Sequence, residues 1–590
     1  MLTGASEPKS YPLKNAKSPY VVAKGRTPRR VSRRRFLKET AQTTVGMALP
    51  ARLFDGPSLA FAADEPLDEP LDLAIVGGTL IDGTGVARRV ADLGIRAGRI
   101  VAMGTLANRP AERRLEAVGR VVSPGFIDIH THSDTTLLRD GLAQSGVRQG
   151  VTTHVIGNCG DSPAPLDRPP ADDHQSFRTY GEFLAALLEP GLSVNVCGLV
   201  GHNRIRRTVM GMERRRPSES ELVRMCDHVE EAMRSGAVGM STGLVTPPGA
   251  YSETAEIVEL ARVMARHRGL YASHIRGEAG TLAESVEEAI EIGRRAGVPI
   301  EISHHKAAGK QNWGKTRLTL PMLEQAAARG QVVRTDAYPY RAGSAGLTQL
   351  IPPWAHEGGT DKLLSRLRDS ATRRRIARDM TEGAADWPNF FVIDWDDIQI
   401  AGVAGESNRR WEGRRIGELA RARGVPGVEA CLDLVLEEEG RVRMVNFVMD
   451  EEEMRRVLAH PLTMIGSDGS AIAPDWAEGK PHPRSYGCYP RVLGRYIREE
   501  KLFSLETAIH KMTGMPADQL GLAERGRLKI GYAADVVVFD ADKIVDRATF
   551  DDPHQFPDGV EAVVVNGELV VHQGEHLGAR PGKVLRPERA

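Results

Sequence analysis

The chain has 590 residues, 41% hydrophobic and 26% charged, with 61 Gly and 35 Pro, a composition that excludes a collagen, a coiled coil, a disordered tail protein and a membrane transporter. Its 78 Lys+Arg balance 78 Asp+Glu, but twelve of the basic and three of the acidic groups fall in residues 1–62. Residues 63–590 therefore carry 66 basic against 75 acidic groups, a net of −9, and neither nucleic acid nor an anionic membrane is an expected partner.

Residues 1–62 read as a disposable leader. Ser32-Arg33-Arg34-Arg35-Phe36-Leu37-Lys38 is followed by a weakly apolar stretch at 43–49 and then by Ala60-Phe61-Ala62. A basic region, an apolar region and an A-x-A site in that order make an export signal, and the paired arginines before Phe-Leu-Lys resemble the twin-arginine pattern. Cleavage is expected after Ala62, with the twin-arginine export machinery as a partner and a periplasmic or secreted destination. Pro50, Arg52, Asp55 and Pro57 interrupt the apolar run well short of the roughly 20 residues a span requires, so no stable membrane insertion is expected. Cys159, Cys197, Cys226, Cys431 and Cys488 are odd in number and irregular in spacing, which makes a poor disulfide framework.

Next along the chain, 71–78 and 92–101 are short β runs punctuated by Gly, and 535–540 and 562–567 repeat that texture. The two ends are expected to build one small β-sandwich domain, from 63–122 and 516–590. Between them, eight apolar runs (121–129, 151–156, 193–199, 237–240, 270–273, 299–303, 332–337 and 462–465) alternate with helical patterns such as 219–235, 254–268 and 281–296. Strands alternating with helices imply parallel pairing, and eight of them imply an α/β fold of (β/α)8 TIM-like barrel type over 123–515, with an open doubly wound sheet as the alternative. The interval from Arg341 to His460 is too long for one connection, and 345–440, with Trp387, Trp395 and Trp411, reads as an inserted lid or small subdomain.

The chemistry-bearing residues fall at the ends of these runs. His130 and His132, two apart on a strand, present both imidazoles on one face. Cys159, His274, His304 and Asp468 follow the second, fifth, sixth and eighth runs, and in a parallel barrel all of these positions meet at the C-terminal rim. Thiolate, imidazole and carboxylate together suit zinc. Cys159, His274 and His304 are expected to form a tight site, and His130, His132 and Asp468 a second, weaker one. Asp468 is the expected catalytic base, taking the proton of an activated water and returning it to the leaving group. His154, His202 and His305 are left as structural or supporting residues.

These residues resemble the amidohydrolase superfamily and, within it, the N-acyl-D-amino-acid deacylases (D-aminoacylases). The carrying motifs are 123–132 (SPGFIDIHTH), Gly157-Asn158-Cys159-Gly160, Ile302-Ser303-His304-His305-Lys306, Gly466-Ser467-Asp468-Gly469 and 481–487 (PHPRSYG). The resemblance spans about 71–567. It implies a cysteine thiolate in place of a bridging carboxylated lysine, which strand four, Gly236 to Ser241, does not offer. It also implies a clamp of Lys306, Tyr338 and Ser344 for the carboxylate of a small N-acyl amino acid. Thr246 stands where the family usually has Tyr, which leaves the side-chain preference open, and Arg276 and Arg484 are candidates for favouring an acidic one. A cyclic-amide or dipeptide hydrolase of the same superfamily and a non-catalytic metal-binding protein are the alternative readings.

Overall fold

Eight parallel strands surround one core: β1 Phe126–Asp128, β2 Val151–Ile156, β3 Asn195–Gly201, β4 Gly239–Gly243, β5 Leu270–His274, β6 Ile300–Ile302, β7 Val333–Ala337 and β8 Thr463–Ile465. Neighbours in the sheet follow chain order. The ring is drawn together between β8 and β1 by a parallel bridge from Thr131 to Gly469, with the Asp468 N–H donating to His130 O (2.8 Å) and the His132 N–H to Gly469 O (2.7 Å). The computed structural model describes residues 69–167, 177–476 and 479–587, so the expected export signal lies outside the described residues.

Alternation along the strands sorts the side chains into two cores. Ile127, Val155, Cys197, Leu199, Ala272 and Met464 pack together inside the barrel. Phe126, Ile156, Val200, Met240, Tyr271 and Ile465 pack outward against the helical layer. The helices between strands begin and end on recognisable signals. Glu219–Ser235 starts with a capping box, in which Ser218 Oγ accepts the Glu221 N–H and the Glu221 carboxylate accepts the Ser218 N–H, and it stops at left-handed Gly236.

The small β domain is assembled from both ends, as expected. Its seven-stranded sheet runs Glu575–His576, Glu568–His572, Val560–Val565, Val536–Phe539, Val121–Pro124, Thr79–Leu80 and Arg89–Val90. A four-stranded sheet (Arg99–Gly104, Asp92–Arg96, Leu71–Val76, Ala111–Glu116) comes from the N-terminal end alone. Leu73, Ile75 and Leu93 of one share a core with Val122, Val536 and Val564 of the other.

Two expected boundaries shift. The run at 121–129 is two strands rather than one, because the chain changes sheet at Gly125. A Cβ there would lie 2.2 Å from Thr152 Oγ1, so only glycine lets the backbone cross so close to β2. Residues 516–522 belong to the barrel and not to the β domain. The helix Gly514–Leu520 sends Met515, Ala517 and Leu520 into the inner core, where Leu522 and Leu585 join them to close the floor.

The insertion is a subdomain with its own core. Gly343–Gly346, Val442–Asn446 and Ile398–Val403 form an antiparallel sheet, so it is framed at 343–446 rather than 345–440. Ile398, Ile400, Val442 and Met444 face its helices and pack with Leu347, Ile376, Leu419 and Leu434. Trp395 and Trp411 pack against that core, whereas Trp387 lines the cleft below. All five cysteines are unpaired. Among the described residues no helix is long and apolar enough to cross a membrane.

Candidate metal centre and active-site cleft

Three of the expected ligands stand in strained backbone. Cys159 after β2, His304 after β6 and Asp468 after β8 have φ of 54°, 36° and 52°, a region that non-glycine residues occupy only when their surroundings hold them there. The restraints are visible. Ser241 on β4 is fully buried; its hydroxyl accepts the Gly160 N–H (2.9 Å) and donates to the Gly157 carbonyl, clasping the Gly157–Gly160 turn from both ends. Asn158 Nδ2 donates to Val155 O (3.0 Å) in the same turn. The His304 N–H donates to Asp336 Oδ1 (3.0 Å), and Asp468 is held by its N–H bond to His130 O.

These turns bring all six expected ligands together. Cys159 Sγ lies 3.3 Å from His130 Nε2 and 3.5 Å from His304 Nε2. Asp468 Oδ1 lies 3.0 Å from His132 Nε2 and 3.7 Å from His130 Nε2. The donor atoms of His130, Cys159 and His304, of His130, His132 and Asp468, and of His274, Glu278 and His304 lie in each case within 4.8 Å of one another. The grouping differs from the expected one in two respects. Cys159 shares its site with His130, and His274 joins through Glu278. The reason is the two ring nitrogens of His304: Nε2 faces Cys159, while Nδ1 faces Glu278 Oε1 at 2.9 Å. Sequence reasoning missed Glu278, four residues past His274, and Asp336, whose Oδ2 pairs with His130 Nδ1 (3.2 Å) and so leaves Nε2 turned toward Cys159.

The donor chemistry fits a metal ion. Burial raises the Cys159 pKa, but the His130 and His304 imidazoles outweigh it and hold the thiol well below its ordinary value, which favours the thiolate. Burial likewise opposes the charge on His132, yet the hydrogen bonds to Asp468 and Cys159 push its pKa up to about 10. Asp468 is kept well below the usual carboxylate range, against its burial, by Arg484 and these histidines. His274 Nε2 is buried and makes no hydrogen bond, with its nearest carboxylate oxygen, Glu278 Oε2, at 3.7 Å. A set of imidazoles, a thiolate and a carboxylate converging on one another, with His274 Nε2 unanswered, is the arrangement a soft cation completes as it displaces the imidazole protons.

The residues expected to hold substrate line the same cleft, whose volume is about 1300 Å³. Lys306 is buried and directs its ammonium at Glu278, His304 Nδ1 (2.8 Å) and His304 O (2.8 Å). Tyr338 is buried, its hydroxyl facing only Met449 Sδ at 3.9 Å. Ser344 sits on the inserted sheet opposite Val445. Of the two arginines considered for an acidic side chain, Arg276 is spent on Glu288 (2.8 and 2.9 Å). Arg484 pairs with Asp468 Oδ2 at 2.8 Å and stacks on Tyr338. The Thr246 hydroxyl bonds within its own loop, to Gly243 O and Asn203. His154, His202 and His305 are bonded to Ser133, Glu256 and Thr319.

A closed parallel barrel whose C-terminal rim carries imidazoles, a thiolate and a buried ionised carboxylate defines a metal-dependent hydrolase. The chain belongs to the amidohydrolase family, whose profile matches residues 115–571, and within it to the N-acyl-D-amino-acid deacylases. It is 41% identical to the D-aminoacylase of Alcaligenes xylosoxydans xylosoxydans over 88% of this chain and 98% of that one. It is 39% identical to the N-acyl-D-aspartate deacylase of the same organism, over 88% and 95%. Among solved structures, the N-acyl-D-glutamate deacylase of Bordetella bronchiseptica, complexed with zinc and a phosphonate inhibitor, superposes with a TM-score of 0.75 at 38% identity, covering 88% of this chain and all of that one.

Proposed function

We propose that this chain is a zinc-dependent hydrolase that cleaves N-acyl-D-amino acids to a carboxylate and a free D-amino acid. The observation that carries the reading is Asp468: a buried, ionised carboxylate whose two oxygens are held by His132 and Arg484 at the edge of the thiolate and imidazole cluster. In this reading Cys159, His130 and His304, with His274 beside them, hold one zinc ion tightly, and His130, His132 and Asp468 hold a second more weakly. Zinc supplies Lewis acidity toward water and toward an amide carbonyl. Asp468 takes a proton from the attacking water and returns it to the leaving nitrogen, fixed for both transfers by His132 on one oxygen and Arg484 on the other. Tyr338 and Ser344 offer hydroxyls to the substrate α-carboxylate, and Lys306 adds positive charge beside His304.

The assay that tests this supplies the zinc-loaded chain with N-acetyl-D-amino acids, their L enantiomers and a hydantoin. The D series alone is expected to release free amino acid; turnover of the cyclic amide with none of the D series would refute the reading.

The leader extends the proposal to location. The basic, apolar and Ala-Phe-Ala segments stand in the order of a twin-arginine signal, and the first strand among the described residues begins at Leu71, shortly after the expected cut. We therefore place the mature enzyme in the periplasm or outside the cell. A folded reporter fused behind residues 1–62 is expected to be exported, and to stay inside when Arg33 and Arg34 are both replaced by Lys. Export that survives the double replacement removes the twin-arginine assignment.

A further inference from the structure

The inserted sheet has two faces. One packs on the helices of the subdomain through Val442 and Met444; by alternation the other carries Arg443 and Val445. The register places Ser344 opposite Val445 and Gly346 opposite Arg443, so Ser344 and Arg443 are diagonal neighbours on the same face, roughly 7–8 Å apart. Both line the active-site cleft.

The other cations that matter in this cleft are answered. Arg484 has Asp468 at 2.8 Å, Arg207 has Asp161 at 3.6 Å, Arg441 has Glu439 at 3.1 Å, and Lys306 has Glu278. The cleft's remaining carboxylate, Glu412, accepts the Val403 N–H. Among the described residues the Arg443 guanidinium has neither an ion-pair nor a hydrogen-bond partner. Arg409 also lacks one, but it stands on the turn Glu406–Trp411 and not on the sheet face that carries Ser344. Although Arg443 stays exposed to the cleft, the protein around it and the nearby Arg484 charge both push its pKa down. A guanidinium carried on a strand at the cleft wall, open to the cleft and repelled by its neighbour, is stabilised by whatever anion enters.

We infer that Arg443 reads the substrate side chain and selects one that ends in a carboxylate, making N-acyl-D-glutamate and N-acyl-D-aspartate the preferred substrate class. The inference rests on the deacylase reading above. With the α-carboxylate at Tyr338 and Ser344, a second carboxylate a few bonds along the side chain reaches the diagonal position. Overall similarity does not decide the matter, since the D-aminoacylase and the acidic-substrate deacylases are 41% and 39–40% identical to this chain. Arg443 is neither of the arginines that the sequence suggested for this task, and it lies on the insertion and not on the barrel.

The test compares kcat/KM for N-acetyl-D-glutamate, N-acetyl-D-aspartate and N-acetyl-D-methionine in the zinc-loaded full chain and in its Arg443→Gln and Arg443→Lys variants. The unaltered chain is expected to favour the two acidic substrates. Arg443→Gln is expected to lower the acidic-to-methionine ratio about 10- to 100-fold, mainly through KM, and Arg443→Lys to restore part of it. The inference is overturned if methionine is the preferred substrate, if the ratio does not move, or if all three substrates lose equally, which would put Arg443 on the α-carboxylate. Failure to turn over any of the three overturns the deacylase reading as well, so the two failures are told apart.

Discussion

Asp468→Asn is expected to reduce kcat by about 10²- to 10⁴-fold, the range that a positioned general acid–base group contributes, while zinc stays bound at the cysteine-containing site. The substitution keeps the shape of the side chain and the contact with Arg484 but removes the ability to accept a proton. Asp468 is only 7% exposed and stays ionised, against its burial, because Arg484 and the histidines surround it. It therefore meets an incoming water already deprotonated. Its Oδ1 is 3.0 Å from His132 and 3.7 Å from His130, so the second, weaker metal group should lose affinity in the variant while Cys159, His130 and His304 keep theirs. Single-turnover rates together with zinc content check both halves. Retention of more than a tenth of the wild-type rate would remove Asp468 from the proton path.

Cys159→Ala is expected to strip the tight zinc, with a loss of affinity greater than the roughly 10- to 100-fold that supporting partners outside the metal's own ligands typically carry. Cys159 is the one soft donor in the cluster, and the imidazoles beside it hold its pKa well below the ordinary thiol value, so the protons that metal displaces come chiefly from those imidazoles. Ser241→Ala should fall between wild type and Cys159→Ala, at about 10- to 100-fold. Removing its hydroxyl frees the Gly157 carbonyl and the Gly160 N–H and lets Cys159 leave its left-handed conformation. Chelator competition orders the three proteins, and the sulfur-to-cobalt charge-transfer band of the cobalt-substituted forms reports whether the thiolate is still engaged. An intact band with wild-type affinity in Ser241→Ala would show that the turn holds itself.

Much of this architecture was legible because strand periodicity and site geometry coincide. His130 and His132 are two apart, and Cys159, His304 and Asp468 each follow a short apolar run, so counting strands was enough to place them on one rim. What stayed hidden depends on contacts that periodicity does not encode. An apolar run such as 121–129 looks continuous because both sheets it serves bury it; only the approach of Thr152 to Gly125 divides it. The pairing of Cys159 with His130 depends on which nitrogen His304 turns to which neighbour. Glu278 and Asp336 are ordinary acidic residues until the fold sets them against imidazoles. Arg276 and Arg443 are indistinguishable in sequence, and Glu288 alone decides that the first is occupied.

The joining of both chain ends into one sheet sets the timetable of the protein's birth. Val121–Pro124 pairs with Val536–Phe539, so an apolar strand finished early waits for a partner made more than 400 residues later. At about 5–20 residues per second that wait lasts roughly 20 to 80 s. The barrel floor is later still: the Leu585 N–H donates to Val196 O and the Val196 N–H to Lys583 O, contacts that need residues made more than 380 positions after Val196. Any factor that shields nascent chains must therefore cover Val121–Pro124 until Val536–Phe539 has been made.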